Sequence, residues 1–128
     1  MNSSFKKISI LGLGLIGTSI LHAIKKKLDK EIITFAYDIE SDHRNIVSEM
    51  GIATFVCDNI SEAVKDAELV ILAIPVGAME TVARSISPHL KSNTLITDTG
   101  STKASVIKDV NTYLPKCFFY SLTSNCWH

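Results

Sequence analysis

The feature that most constrains this chain is a set of three glycines between a strand-like segment and a helix-like one. Gly12, Gly14 and Gly17 follow the apolar, β-branched stretch 6–11, and apolar residues then recur at helical spacing over 15–28. Glycines at this spacing permit a tight turn after the strand, an open backbone in the middle and close helix packing at the third position. The pattern predicts that the chain starts with a strand, a turn and a helix packed as part of a βαβ unit.

Strands and helices alternate along the rest of the chain. The predicted strands are 32–37, 53–56, 69–74, 94–97 and 116–120, and the predicted helices are 41–50, 61–67, 78–86 and 102–114. Ser41 and Ser61 are candidate N-caps, and Gly51 lies just past the end of the second helix. The alternation predicts an α/β fold: a Rossmann-type, doubly wound parallel sheet in three layers.

Composition excludes several other kinds of protein. Of 128 residues, 46% are hydrophobic and 20% are charged, which is ordinary for a globular chain. The 13 basic residues balance the 13 acidic ones, so we expect no nucleic-acid partner. No apolar run reaches membrane-spanning length, so we expect no membrane partner, and we expect a cytoplasmic location with reduced thiols. The three cysteines lack metal-ligand spacing, and we expect no metal site.

The glycine loop indicates a binding chemistry. Main-chain amides at Leu15 and Ile16 begin the helix, and an open backbone at Gly14 lets a diphosphate approach them. Asp38 ends the second predicted strand about 20 residues beyond Gly17, where a carboxylate accepts hydrogen bonds from a ribose and repels a 2′-phosphate. The sequence thus predicts a dinucleotide site that prefers NAD, with NADP as a second candidate because Arg44 follows. The structural alternative is that the glycines only form a turn and Asp38 only caps the next helix.

Two further segments follow strands at the same predicted sheet edge. Pro75 and Gly77 come after 69–74 and fit either a loop beside the cofactor or, for the proline, a plain strand terminator. The segment 98–103 (DTGSTK) contains Ser101, suited to bind a substrate or orient a catalytic base, and Lys103, suited to contact an anion. Ordinary helix capping explains the hydroxyl equally well. The four histidines have no partner at catalytic or metal-ligand spacing, and we interpret them as structural or solvated.

Three segments resemble the nucleotide-binding domain of prephenate and arogenate dehydrogenases. They read, in order, KISILGLGLIGTSI, AELVILAIPVGAMETV and LITDTGSTKASVI, and the resemblance covers about 6–119. It implies oxidative decarboxylation of prephenate to 4-hydroxyphenylpyruvate with NAD or NADP, in tyrosine biosynthesis, and a supporting catalytic role for Ser101, with substrate contacts from Ser101 and Lys103. It implies cofactor-binding roles for Gly12, Gly14, Gly17 and Asp38, with Pro75 near the nicotinamide; Leu15 and Ile16 join them through their helix-start amides. The alternatives are arogenate as substrate, or a stand-alone NAD-binding module; the DTGSTK segment argues against a hydroxy-acid reductase.

The last residues depart from that family. Its members continue with a histidine–proline motif, whose histidine is the catalytic base, and a mainly helical domain that forms the homodimer. Here the chain ends FFYSLTSNCWH, and Thr123 stands in the place of the histidine. We expect an NAD(P)-binding Rossmann domain over 1–117 and an aberrant tail over 118–128. Inserting one T into suitable codons converts FFIPSHPIAGTE into this tail and a stop, which favours a frameshift or a sequencing error. We therefore expect no helical domain, no family dimer and no activity of the chain alone.

Overall fold

The computed structural model describes residues 6–27, 31–91, 94–98 and 118–121. Its strands are β1 (Lys7–Leu11), β2 (Ile33–Tyr37), β3 (Phe55–Val56), β4 (Leu69–Leu72), β5 (Leu95–Asp98) and β6 (Phe118–Ser121). Its α-helices are α1 (Leu15–Lys27), α2 (Ser41–Met50), α3 (Ile60–Val64) and α4 (Met79–Ile86). Two short 3₁₀ turns, Val76–Ala78 and Ser87–His89, flank α4.

The strands form one sheet in the order β3-β2-β1-β4-β5-β6. Every neighbouring pair is parallel. The chain begins in the middle of the sheet, extends to one side through β2 and β3, and then crosses back to β4 on the other side of β1. This reversal is the switch point at which ligands bind in open α/β sheets, outside the carboxyl ends of the strands. The predicted Rossmann-type parallel sheet is therefore confirmed.

Apolar side chains cover both faces of this sheet. On one face Ile8 and Ile10 of β1 pack with Leu21 and Ile24 of α1. On the other face Leu11 packs with residues of α3 and α4, including Val64, Met79 and Ile86. All four residues of β4 are buried, which explains why LVIL is apolar throughout rather than alternating. The described residues thus form the predicted three layers of helix, sheet and helix.

The first residues of the predicted tail belong to the sheet. β6 pairs with β5, so that Phe118 lies opposite Leu95 and Ser121 lies opposite Asp98. The predicted helix 102–114, Ser101, Lys103 and Thr123 lie outside the described residues. The division of the chain at 117/118 remains a prediction.

The described ranges contain neither a membrane-spanning helix nor a metal-binding cluster. No helix there has the length and apolarity needed to cross a bilayer. No group of three His, Cys, Asp or Glu side chains there is arranged to hold a metal ion.

Candidate functional site

The turn after β1 is built from backbone packed against backbone. Gly12 has a φ of +102°, which favours glycine, and its amide donates to the carbonyl of Tyr37 at 2.8 Å. A Cβ at Gly12 would collide with the carbonyl of Ala73, just after β4. A Cβ at Gly17 would collide with the carbonyl of Gly12 itself. Any side chain at either position would force β1, the turn and α1 apart.

The middle glycine has a different environment. A Cβ built on Gly14 meets no atom within 4 Å, so the space above its backbone is open. The next two residues start α1 and are also exposed, Leu15 by 87% and Ile16 by 53%. The first amides of a helix have no intrahelical acceptor and carry its positive dipole end. An open backbone at this point suits an anion such as a phosphate.

Asp38 joins the end of β2 to this turn. One carboxylate oxygen, Oδ2, accepts from the Leu13 amide at 2.7 Å, and the other, Oδ1, accepts from the Glu40 amide at 2.8 Å. Burial alone would raise the pKa of this carboxyl group. The hydrogen bonds from Glu40, Leu13 and His43 outweigh burial and place the pKa of Asp38 below its ordinary value of 3.8. Asp38 is therefore an anion at neutral pH and lies directly beside the glycine loop.

Two basic side chains from the first turn of α2 contact Asp38. The Nδ1 atom of His43 lies 3.1 Å from Asp38 Oδ2, and Arg44 donates through Nη1 to the Asp38 carbonyl at 2.8 Å. The Arg44 guanidinium also lies over the ring of Tyr37, 5.8 Å from its centroid. The hydrogen bond and charge of Asp38, aided by Glu40 and Asp42, raise the pKa of His43 above its ordinary 6.5.

The sequence interpretation of His43 as structural or solvated did not foresee this hydrogen-bond partner. The contact between His43 and Asp38 depends on how the chain turns between β2 and α2. The sequence separation across that turn matches no catalytic or metal-ligand spacing. A local signal in the sequence could have indicated this pair. His43 falls in the first turn of the predicted helix 41–50, and that helix directly follows Asp38 at the end of the predicted strand.

A cavity of about 500 Å³ lies over the carboxyl ends of β1, β2 and β4. Its lining brings together four of the predicted site residues, Gly12, Gly14, Asp38 and Pro75. Apolar side chains, among them Ile39, Ile60 and Ile74, form much of the remaining wall. Leu15, Ile16 and Gly17 adjoin this cavity through the start of α1 without lining it. A second cavity, of about 320 Å³, is lined by residues of α1 and of 51–54 and contains none of the predicted site residues.

Comparison with known proteins identifies relatives of this chain. The family model described as "Prephenate dehydrogenase, nucleotide-binding domain" matches residues 20–121. A cyclohexadienyl dehydrogenase of Zymomonas mobilis is 41% identical over 111 residues, covering 87% of this chain and 38% of that protein. A prephenate dehydrogenase of Bacillus subtilis is 38% identical over 120 residues, covering 90% of this chain and 31% of that protein.

Solved structures share the fold. The prephenate dehydrogenase of Aquifex aeolicus, crystallised with hydroxyphenyl propionate and NAD⁺, has a TM-score of 0.81 at 22% identity and covers 94% of this chain and 47% of its own. A glycerol-3-phosphate dehydrogenase of Coxiella burnetii has a TM-score of 0.76 at 19% identity, covering 91% of this chain and 40% of its own, so the fold is shared beyond one activity.

The chain spans about a third of the length of the curated relatives that it matches, 38%, 29% and 31% in three of them. The part matched by the family model, 20–121, includes Asp38 and the strands β2 to β6, and it begins just after the glycine loop. This chain belongs to the prephenate dehydrogenase family and corresponds to the nucleotide-binding domain of that family.

Proposed function

We propose that this chain binds NAD in the 500 Å³ cavity and is the nucleotide-binding part of a prephenate dehydrogenase. The observation that carries the proposal is the bond between the Asp38 carboxylate and the Leu13 amide, beside the open backbone at Gly14. The bond and the open backbone support a ribose acceptor next to a diphosphate site, at the switch point of the sheet. Family membership and the NAD⁺ named for the Aquifex aeolicus structure support the same conclusion.

The residues present fit a dinucleotide. The amides at the start of α1 would hold the diphosphate, because Gly14 leaves its approach open. Asp38 Oδ1 accepts one amide hydrogen bond and has a second lone pair for a ribose hydroxyl. Ile39, which is 82% exposed, and Ile60 offer an apolar wall for the adenine ring, while Pro75 lies on the side that we assign to the nicotinamide.

The proposed reaction is the oxidative decarboxylation of prephenate. When bound, NAD supplies the acceptor for a hydride. The ring hydroxyl of prephenate loses its proton as hydride leaves the same carbon, and loss of carbon dioxide makes the ring aromatic, giving 4-hydroxyphenylpyruvate. Ser101 would support the base, with Ser101 and Lys103 contacting the substrate. Because Thr123 stands where the family has its catalytic histidine, we propose that this chain binds coenzyme without turning over prephenate alone.

Arogenate is the second candidate substrate. A relative from Methanocaldococcus jannaschii, 33% identical over 104 residues, is named a probable arogenate/prephenate dehydrogenase. The cytoplasmic location is a further proposal that rests on the family resemblance.

Calorimetric titration with NAD tests the proposed binding. We expect the native chain to bind NAD and Gly14→Ala to bind about tenfold more weakly, since a methyl group there would weaken a charge-assisted hydrogen bond to the diphosphate. The substitution should leave stability nearly unchanged, because the new Cβ has open space around it.

Gly51→Ala is the matched control. Gly51 ends α2 with a φ of +65°, and its amide donates to the carbonyls of Val47 and Ser48. Alanine there should lower the free energy of unfolding by about 1 kcal/mol and leave NAD affinity unchanged. Absence of NAD binding by natively folded protein would contradict the binding proposal. A measurable rate with prephenate and NAD would contradict the proposed lack of turnover.

A further inference from the structure

Asp38 has two basic side chains beside it at the rim of the proposed ribose site. His43 contacts the Asp38 carboxylate from solvent, with 45% of its side chain exposed, whereas the Asp38 side chain is only 11% exposed. Arg44 sits beside it, anchored to the carbonyls of Asp38 and Ile39. The carboxylate that faces the ribose is thus flanked by a titratable imidazole and a permanent cation.

The net charge of this rim depends on one proton. Asp38 contributes one negative charge and Arg44 one positive charge, so His43 decides whether the three side chains sum to zero or to plus one. Glu40 and Asp42 are the other charged groups that act on His43, and both belong to the same turn. With these two carboxylates included, the formal charge of the turn is minus two when His43 is neutral and minus one when His43 is protonated.

Hydrogen-bond capacity changes with the same proton. Asp38 Oδ2 already accepts from Leu13 and lies within bonding distance of His43 Nδ1, so both of its lone pairs have partners. A protonated imidazole carries a second N–H, on Nε2, in a side chain that is 45% exposed. A 2′-phosphate would find there a donor and a positive charge, whereas a plain ribose hydroxyl would find Asp38 Oδ1 in either state.

Building on the proposed nucleotide binding, we propose that His43 sets coenzyme selectivity: its protonated form admits the 2′-phosphate of NADP, and its neutral form leaves Asp38 to repel that phosphate. The raised pKa of His43 places the change at and above pH 6.5 rather than below it. The protonated fraction falls as the pH rises through this raised pKa. NADP affinity relative to NAD should therefore fall as the pH rises.

The test is calorimetric titration of the full chain with NAD and with NADP at about pH 5.5 and about pH 8.5. We expect the ratio of the NADP Kd to the NAD Kd to rise about tenfold between the two conditions. The 2′-phosphate itself titrates near pH 6, so His43→Asn measures the part of the effect that belongs to the ligand. Asparagine keeps a donor near the position of Nδ1 without the charge.

Two further variants complete the design. His43→Lys carries a permanent cation. Its ratio of the NADP Kd to the NAD Kd should stay low at both pH values, apart from the change caused by titration of the 2′-phosphate itself. His89→Asn is the control: His89 is exposed beyond the end of α4, a helix that runs from the carboxyl edge of the sheet toward the opposite edge. In His89→Asn, the ratio of the NADP Kd to the NAD Kd should change with pH as it does in the parent chain. Thermal unfolding of each variant verifies the native fold.

The outcomes separate this inference from the proposed function. If NAD binds but the ratio changes equally in the parent chain and in His43→Asn, the role of His43 is wrong and the nucleotide site stands. If neither coenzyme binds to native protein at either pH, the proposed function is wrong and this inference fails with it.

Discussion

At the scale of the residue, Asp38 is the side chain on which the site depends most. Its two oxygens accept amide hydrogen bonds from both sides of the β2 end, so Asp38→Asn should disturb the turn as well as the ribose site. Asparagine has one acceptor and one donor group, so at least one amide would face no acceptor. We expect the free energy of unfolding, measured in urea, to fall by about 1–3 kcal/mol.

The difference in unfolding free energy between the parent chain and Asp38→Asn should depend on pH in a defined direction. The pKa of Asp38 is lower in the folded chain than its ordinary 3.8, so its stabilising contribution is complete above that value. It should be lost as the pH falls below 3.8 and through the folded pKa. The difference in unfolding free energy between the parent chain and Asp38→Asn should therefore shrink in acid. A difference that is unchanged across this range would contradict the assigned hydrogen bonds.

Residues of the site differ in how far the sequence predicts them. Gly12, Gly14 and Asp38 are predictable because their spacing encodes a backbone requirement and a strand length. The pairing of His43 with Asp38 is not, because it depends on the path of the chain between β2 and α2.

At the scale of the element, the strands and helices follow the apolar patterns but their caps do not. The sequence suggests Ser41 and Ser61 as N-caps. The structure instead starts α2 after Glu40, which makes no side-chain cap bond, and caps α3 with Asn59. Serine and asparagine have similar cap preferences, so local sequence does not decide between neighbouring candidates.

The cap of α3 gives a prediction of its own. Asn59 Oδ1 accepts from the Glu62 amide at 3.0 Å and from the Ser61 hydroxyl at 2.7 Å. Asn59→Ala should lower the free energy of unfolding by about 1 kcal/mol, because the helix loses its cap acceptor. Ser61→Ala, which keeps that acceptor, should change it by less than about 0.5 kcal/mol. Denaturant unfolding compares the two, and a larger loss for Ser61→Ala would refute the cap assignment.

At the scale of the whole molecule, one sheet separates two apolar clusters. Leu72 on β4 is fully buried within the cluster that includes α3 and α4. Leu72→Ala should lower the free energy of unfolding by about 2–5 kcal/mol, since the buried side chain loses its transfer free energy and leaves a cavity. Ile46 on α2 is 53% exposed, and Ile46→Ala should cost no more than about 1 kcal/mol. Comparable losses in the two variants would contradict the described burial.

The topology is only partly predictable at this scale. Alternating strands and helices predict a parallel sheet with both faces covered, and the structure has one. The order β3-β2-β1-β4-β5-β6 depends on which face each crossover takes, and a one-dimensional pattern does not specify that choice. The sheet also includes Phe118–Ser121, which overlaps the predicted strand 116–120 although the same residues fall in the predicted tail 118–128.

The contact of main-chain atoms at Gly12, Gly17 and Ala73 has a practical consequence for anyone who would re-engineer this fold. The width of the turn is set by atoms common to every amino acid, so exchanging neighbouring side chains offers no means of adjusting it. Attempts to switch the preferred cofactor should leave the turn untouched and vary the segment 39–44 instead, where most side chains face water and tolerate replacement.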